Sequence, residues 1–332
     1  MFGMEKIHFF KSALFVLCCL ILIVFVYNIC IYFFVFRANF SRKDDAFDEK
    51  MEIAFFGGKK NYQEHLKSVE FLESLNLPLL EIKSKDNLTL RALLWEAQEN
   101  CRGTVILMHG FHSGPTSEFA VIAQMFHKMD FNVLLPYQRA HGISEGKWIT
   151  FGIKERFDCL QWIEKVNSIY GKSLPVFLGG ISMGSSTVTM ACGFDLPENV
   201  RGCIADCGFT SPYEIVYWTM TKKRKIPRTI ARLLVFSANV QAKIFADFDF
   251  NEYSTYAALK KTDIPFLFIT GTDDHTVPHE MSLSNFLILK QKNPEIARLA
   301  LFEGAHHAVS YLSDERRYES EILNFVNKYD WQ

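Results

Sequence analysis

The sequence has no excess of charge of either sign. Thirty-six Lys and Arg stand against 37 Asp and Glu in 332 residues, a net charge of -1. Nucleic-acid-binding proteins carry a basic excess, so no nucleic acid is expected as a partner. Cysteine is sparse: eight in the whole chain, too few for a disulfide scaffold. Internal repeats and low-complexity tracts are absent, and with 49% hydrophobic against 22% charged residues the chain is not disordered by composition. Its length suits one large α/β domain with additions. What is plentiful is phenylalanine, 31 residues, with a mean hydropathy of +0.04 that is high for a soluble enzyme.

The N-terminus supplies much of that hydropathy. From Ala13 to Phe36 no residue is charged, and Asn28 is the one strongly polar side chain. A helix crosses the hydrocarbon core with about 20 apolar residues. A cleavable signal has a shorter apolar core and a small-residue cleavage site, which is missing here. The expectation is a tail over 1–11, an uncleaved single-pass anchor over 12–36 in contact with the lipid bilayer, and a juxtamembrane linker with a helix or two over 37–75. Positive charge is nearly balanced across the anchor: Lys6 and Lys11 on one side, Arg37, Arg42, Lys43 and Lys50 on the other. It does not fix the orientation. An extracytoplasmic domain is the adopted expectation. The remaining cysteines, Cys101, Cys159, Cys192, Cys203 and Cys207, read as buried free thiols in apolar patterns.

Residues 76–332 alternate strand-like and helix-like runs, as a mostly parallel sheet requires. Strands are expected at 77–84, 88–97, 104–110, 131–137, 174–181, 201–207, 265–271 and 297–304, the first two joined by a turn at Lys85-Asp86-Asn87. Several are continuous apolar runs, the pattern of strands covered on both faces. Helices are expected at 117–129, 153–171 and 185–194. More than fifty residues separate Cys207 from Pro265. That stretch is helical, aromatic and partly basic, and reads as a lid insertion over 210–262.

Gly180-Ile181-Ser182-Met183-Gly184 fits G-x-S-x-G at the end of an apolar strand and the start of a helix. A nucleophile on so tight a turn needs strained backbone angles and neighbours without side chains. The turn exposes Ser182 Oγ at a helix N-terminus, whose positive end favours developing negative charge. His109-Gly110-Phe111 ends the third strand, where a second oxyanion donor belongs, so the N–H groups of Phe111 and Met183 form the expected pair. The loop Gly271 to Pro278 offers an acid, Asp273 or Asp274. The loop Gly304 to Ala308 offers a base, His306 or His307. His109 and His112 span a strand end and a turn rather than one helix face, so no metal site is read there, and no cofactor is expected.

These motifs resemble the α/β-hydrolase family, in particular its bacterial membrane-anchored serine hydrolases of the serine aminopeptidase-like type. Gln138 to Gly146, Ile149 to Gly152, Ala205 to Pro212 and His307 to Tyr311 are similar to that group's signatures. The resemblance implies an eight-stranded α/β-hydrolase fold and a catalytic triad of Ser182, Asp274 and His307. Thr270 departs from it, where many relatives carry His. The implied activity is cleavage of an ester, thioester or amide of a small molecule bearing an apolar or aromatic acyl group. An aminopeptidase, an acyltransferase or a non-catalytic binding module are the alternatives.

His112, Tyr213, Tyr217 and Trp218 are candidates for the substrate pocket, with Phe236, Phe245, Phe248 and Phe250 further aromatics of the lid. Packing of lid helices on the core would use the same residues. Arg139 and Asp158 are expected to pair, and His141 to fix a turn near the site. The basic cluster Lys222-Lys223-Arg224-Lys225, with Arg228 and Arg232, is either a solvated helix face or a contact for anionic lipid.

Overall fold

The computed structural model describes residues 2–42, 53, 56–98 and 100–329. The charged part of the expected linker, 43–52, and with it Lys43 and Lys50, lies outside the described residues.

Eight strands, β1 (Leu79–Lys83), β2 (Thr89–Trp95), β3 (Gly103–Met108), β4 (Phe131–Tyr137), β5 (Val176–Ile181), β6 (Val200–Asp206), β7 (Phe266–Gly271) and β8 (Ala297–Phe302), form one sheet in the order β1-β2-β4-β3-β5-β6-β7-β8. β2 is antiparallel to both neighbours, and β3 through β8 run parallel. Every expected strand is present. Successive side chains on a strand point to opposite faces, and here both faces are covered. Val105 and Leu107 of β3 join one core with Phe119, Phe126, Tyr318 and Phe325, from helices α3 (Pro115–Lys128) and α11 (Glu315–Tyr329). Ile106 and Met108 join the other with Trp162, Val188 and Leu289, from α4 (Glu155–Tyr170), α5 (Met183–Ala191) and α9 (His279–Lys292).

A third core lies above the C-terminal ends of the strands. The lid contributes α6 (Pro212–Trp218), continued by a π-helical turn over Thr219–Lys223, then α7 (Arg228–Phe245) and α8 (Thr255–Leu259). The N-terminal apolar segment begins as α1 (Phe2–Cys30), passes through a π-helical stretch at Ile31–Arg37, and ends in a helical turn at Ala38–Phe40. Its span His8–Phe40 is long and apolar enough to cross a membrane. The sequence reading ended the anchor at Phe36. The helix instead runs on, because Phe36 and Phe40 are fully buried among lid and loop aromatics: Phe36 lies 4.8 Å from Trp148, and Phe40 5.1 Å from Phe250. Burying each such ring stabilises by about 1.5–3 kcal/mol. Beyond Phe40 the chain extends and bonds to the segment at 147–149, with the Ile149 N–H donating to Phe40 O at 2.8 Å. Among the described residues there remain α2 (Lys59–Ser74), a short 3-10 turn at Pro294–Ile296 and α10 (Ser310–Ser313).

Candidate active site

Ser182 sits between β5 and α5 with φ 56° and ψ -116°. A non-glycine residue in that region stores about 1–3 kcal/mol of strain. Packing on both sides enforces it. A Cβ on Gly180 would stand 2.3 Å from the Gly184 carbonyl carbon, and a Cβ on Gly184 would stand 1.7 Å from Met108 O. Helix α5 therefore rests directly on the end of β3, and only glycine permits that approach. The Ser182 N–H donates to Asp206 O at 2.9 Å, tying the turn to the neighbouring strand end.

His307, in the loop after β8, has its Nε2 2.9 Å from Ser182 Oγ and its Nδ1 2.7 Å from Asp274 Oδ2. The Asp274 carboxylate is buried. Its Oδ1 accepts the N–H of Thr276 at 2.8 Å and of Val277 at 2.9 Å, so the loop's own backbone holds it still. The neighbouring pair behaves differently. Asp273 is half-exposed beside His275 at 3.1 Å, and His306 Nδ1 lies 3.0 Å from Asp273 O. The geometry thus joins 182, 307 and 274 and leaves 273 and 306 at the rim.

The loop after β3 brings Phe111 to this turn: the position of a Gly110 Cβ would be 3.4 Å from Ser182 Cβ. Among the described residues neither the Phe111 N–H nor the Met183 N–H meets a protein acceptor. Two buried imidazoles hold this loop. His109 Nε2 accepts the Gln138 N–H at 3.0 Å and its Nδ1 donates to Gly110 O at 2.8 Å. His141 Nε2 accepts the His112 N–H at 3.1 Å, the turn-fixing role expected of it. Burial holds His109 well below the usual histidine range and His141 at about 4, so both stay neutral and keep these tautomers. Deeper in the fold, Arg139 forms the expected pair with Asp158, through two bonds of 2.7 Å, and adds Asp86 at 2.8 Å.

The cavity over Ser182 has a volume of about 200 Å³. Its walls are mainly apolar, with Phe40, Phe151, Phe209, Ile215, Val216 and Met220 around Ser182 and Met183, and polar side chains such as Asn39, Lys223 and Arg224 also line it. None of the four pocket candidates lines it. Helix α6 and its π-helical continuation turn Ile215, Val216, Thr219 and Met220 toward the cavity. Tyr213 and Tyr217, one turn apart, stack on each other at 6.0 Å on a different face. His112 stacks on Phe111, and Trp218 lines a separate, wider cavity of 740 Å³ beside Asp274 and His279. Packing, the other use of these aromatics, accounts for Tyr213 and Tyr217, and Phe248 and Phe250 are buried in the same core.

Several contributors to the site carry no mark in the sequence. Asn39 and Phe40 had been assigned to a linker, yet they form cavity wall. Glu118, from α3, accepts the Gly110 N–H beneath the loop that carries Phe111, and burial raises its carboxyl to about 8. Asp206, 3% exposed, accepts the Tyr318 hydroxyl at 3.0 Å, and burial raises its carboxyl to about 6. Cys207 has ligand-type atoms within 4.8 Å of Asp274 and His307, but burial pushes its thiol well up, so it stays protonated. All eight cysteines are free.

A mostly parallel eight-stranded sheet, a strained serine turn after its fifth strand and a helical insertion before its seventh define an α/β hydrolase, and the family that the chain matches makes it a serine hydrolase. Residues 141–330, more than half of the chain, match the prolyl oligopeptidase family, and the chain belongs to that family. The α/β-hydrolase resemblance seen in the sequence therefore holds. The chain is similar to the uncharacterized protein YqkD of Bacillus subtilis (strain 168), 25% identical over 231 residues that cover 70% of this chain and 73% of the relative. The esterase Pf2001 of Pyrococcus furiosus superposes with a TM-score of 0.61 at 21% identity, over 78% of this chain and 96% of that one. The acylaminoacyl peptidase of Pyrococcus horikoshii superposes with a TM-score of 0.56 at 16% identity, over 76% of this chain and 41% of that one. These structures share the fold.

Proposed function

We propose that this chain is a membrane-anchored esterase working through Ser182, His307 and Asp274 and an acyl-enzyme intermediate. The observation that carries the reading is the unbroken chain of contacts from Ser182 Oγ to His307 Nε2 at 2.9 Å and from His307 Nδ1 to Asp274 Oδ2 at 2.7 Å. His307 takes the hydroxyl proton as Oγ bonds to the ester carbonyl carbon. The carbonyl oxygen becomes an oxyanion and is met by the N–H groups of Phe111 and Met183. The ester C–O bond then breaks, and His307 gives its proton to the departing alkoxide. Water, deprotonated by the same imidazole, releases the acid and restores Ser182. Asp274 fixes the His307 tautomer and stabilises the imidazolium. The scheme calls for no metal or cofactor.

The apolar cavity favours an acyl group as the recognised part of the substrate. A peptidase acting on free N-termini needs a carboxylate near Ser182 to seat the amine. Glu214 and Glu280 line the wider cavity, which reaches Asp274 but has neither Ser182 nor His307 among its walls. Esters are therefore preferred over peptides. Two features support a retained, membrane-spanning α1: its apolar length, and the bonds from Tyr27 to Ser237 and from Gln241 to Asn28 near its end, which cleavage at the end of α1 would remove.

The test is fluorophosphonate labelling of the full chain, together with turnover of p-nitrophenyl esters of graded chain length beside aminoacyl-nitroanilides. Ser182→Ala is expected to abolish labelling and lower ester turnover by about four to six orders of magnitude. Normal labelling of that variant would remove Ser182 from the role.

A further inference from the structure

We infer that this site takes its substrate from a lipid leaflet, with α7 lying on the leaflet and Lys223 and Arg224 holding an anionic headgroup at the cavity rim. The inference rests on the esterase reading of Ser182 and names its substrate class. Helix α7 carries large apolar residues on its outer side as well as its inner one. Ala231, Val235, Ala238 and Ala242 are buried against the domain, while Phe236 and Ile244 are each 65% exposed and Ile230 and Leu233 are at least half-exposed. A lid helix facing water would carry polar residues there. An amphipathic helix with basic residues beside such a face is suited to the membrane interface.

The apolar N-terminal helix says what covers that face. It is joined to α7 at three points: Tyr27 to Ser237 at 2.8 Å, Asn28 to Gln241 at 3.2 Å, and Tyr32 to Phe245 with rings 4.6 Å apart. Counted from Ala13, past the charge of Lys11, a span of about 20 residues ends near Tyr32, so Tyr27, Asn28 and Tyr32 occupy its last turns. These joints therefore fall at the membrane surface, where tyrosine rings are enriched. The exposed side of α7 is brought to the same level.

The Ser182 cavity opens along this seam. Asn39 and Phe40, at the end of the apolar helix, form one wall, and Thr219, Met220, Lys223 and Arg224 of the lid form another. Arg224 spends one N–H on Asn39 Oδ1 at 2.8 Å and has four others to offer. Between Ile215 and Ala246 there are seven basic residues and no acidic one. An ester whose headgroup carries net negative charge thus finds positive charge at the rim and apolar wall beyond it.

The experiment uses the full chain in nanodiscs and follows fatty acid release from lysophosphatidylglycerol and from lysophosphatidylcholine of the same acyl chain. The anionic lipid is expected to be preferred by about tenfold in kcat/KM, the worth of one charge-assisted contact. Lys223→Gln with Arg224→Gln should bring that ratio near one. Lys223→Gln alone, which keeps the Arg224–Asn39 bond, should bring it part of the way. Benzoylphenylalanine at position 236 should crosslink to lipid. Equal hydrolysis of the two lipids, a ratio unmoved in both variants, or capture of a second copy in place of lipid would each overturn the inference. So would Ser182-dependent turnover of p-nitrophenyl butyrate with neither lipid cleaved. Butyrate turnover that survives Ser182→Ala is a different result and overturns the esterase reading itself.

Discussion

The two halves of the candidate site are built by different means. The turn at Ser182 is a backbone construction: glycines at 180 and 184 let α5 rest on β3, and strand ends deliver His307 and Asp274 to it. The cavity wall is a side-chain construction. It joins the end of the N-terminal apolar helix to a lid helix more than 170 residues away, through ring packing and the Arg224–Asn39 bond. The difference teaches where tolerance lies. A strained turn gripped by backbone allows almost no change, whereas apolar side chains of similar volume exchange at modest cost.

Substitutions at the two halves should therefore differ sharply in size. Asp274→Asn keeps the shape but disturbs the His307 tautomer, and turnover of any ester should fall by about ten-thousandfold with KM little changed. A loss of less than tenfold in steady-state kinetics would mean that Asp274 does not orient the base. Phe40→Ala removes a fully buried ring of the wall. It should lower unfolding stability by about 3–5 kcal/mol and shift the preferred ester toward longer or bulkier acyl groups, leaving fluorophosphonate labelling intact. Labelling lost along with stability would show that wall and turn are a single unit.

The smallest effect should come from Asp206, which lies under the turn. Burial raises its carboxyl from 3.8 to about 6, against the opposing pull of the Tyr318 hydroxyl and of His307. Between those values the folded state binds more proton than the unfolded chain. Its contribution is thus fully present below 3.8 and is lost as pH rises through about 6, up to about 3 kcal/mol in all. Asp206→Asn should remove that slope while still accepting the Tyr318 bond. Thermal unfolding followed from about pH 4 to about pH 7 measures it, and an unchanged slope would mean that another group carries it.

Strands were legible because their signal is local: apolar runs such as Thr104 to Met108 are long enough to be covered on both faces and are bounded by turn residues. The serine turn was legible because its sterics demand glycine at fixed offsets. The cavity wall was not. Ile215, Val216 and Met220 carry no mark that separates them from Tyr213 and Tyr217, since which face of α6 meets the cavity depends on how the lid settles. Asn39 and Phe40 read as linker because the apolar run falters at Arg37, and the aromatics that bury Phe40 are distant in the chain. Glu118 reads as an ordinary first-turn acid of a helix until the fold sets Gly110 against it.

By itself, then, the amino-acid order determined the alternating sheet, the apolar N-terminal run and the glycine-flanked turn, because each is dictated by neighbours a few residues apart. Family resemblance already singled out Asp274 and His307; folding decided how they come within reach of Ser182, and which lid residues face it. Those choices depend on distances between segments remote in the chain, and no local pattern encodes them.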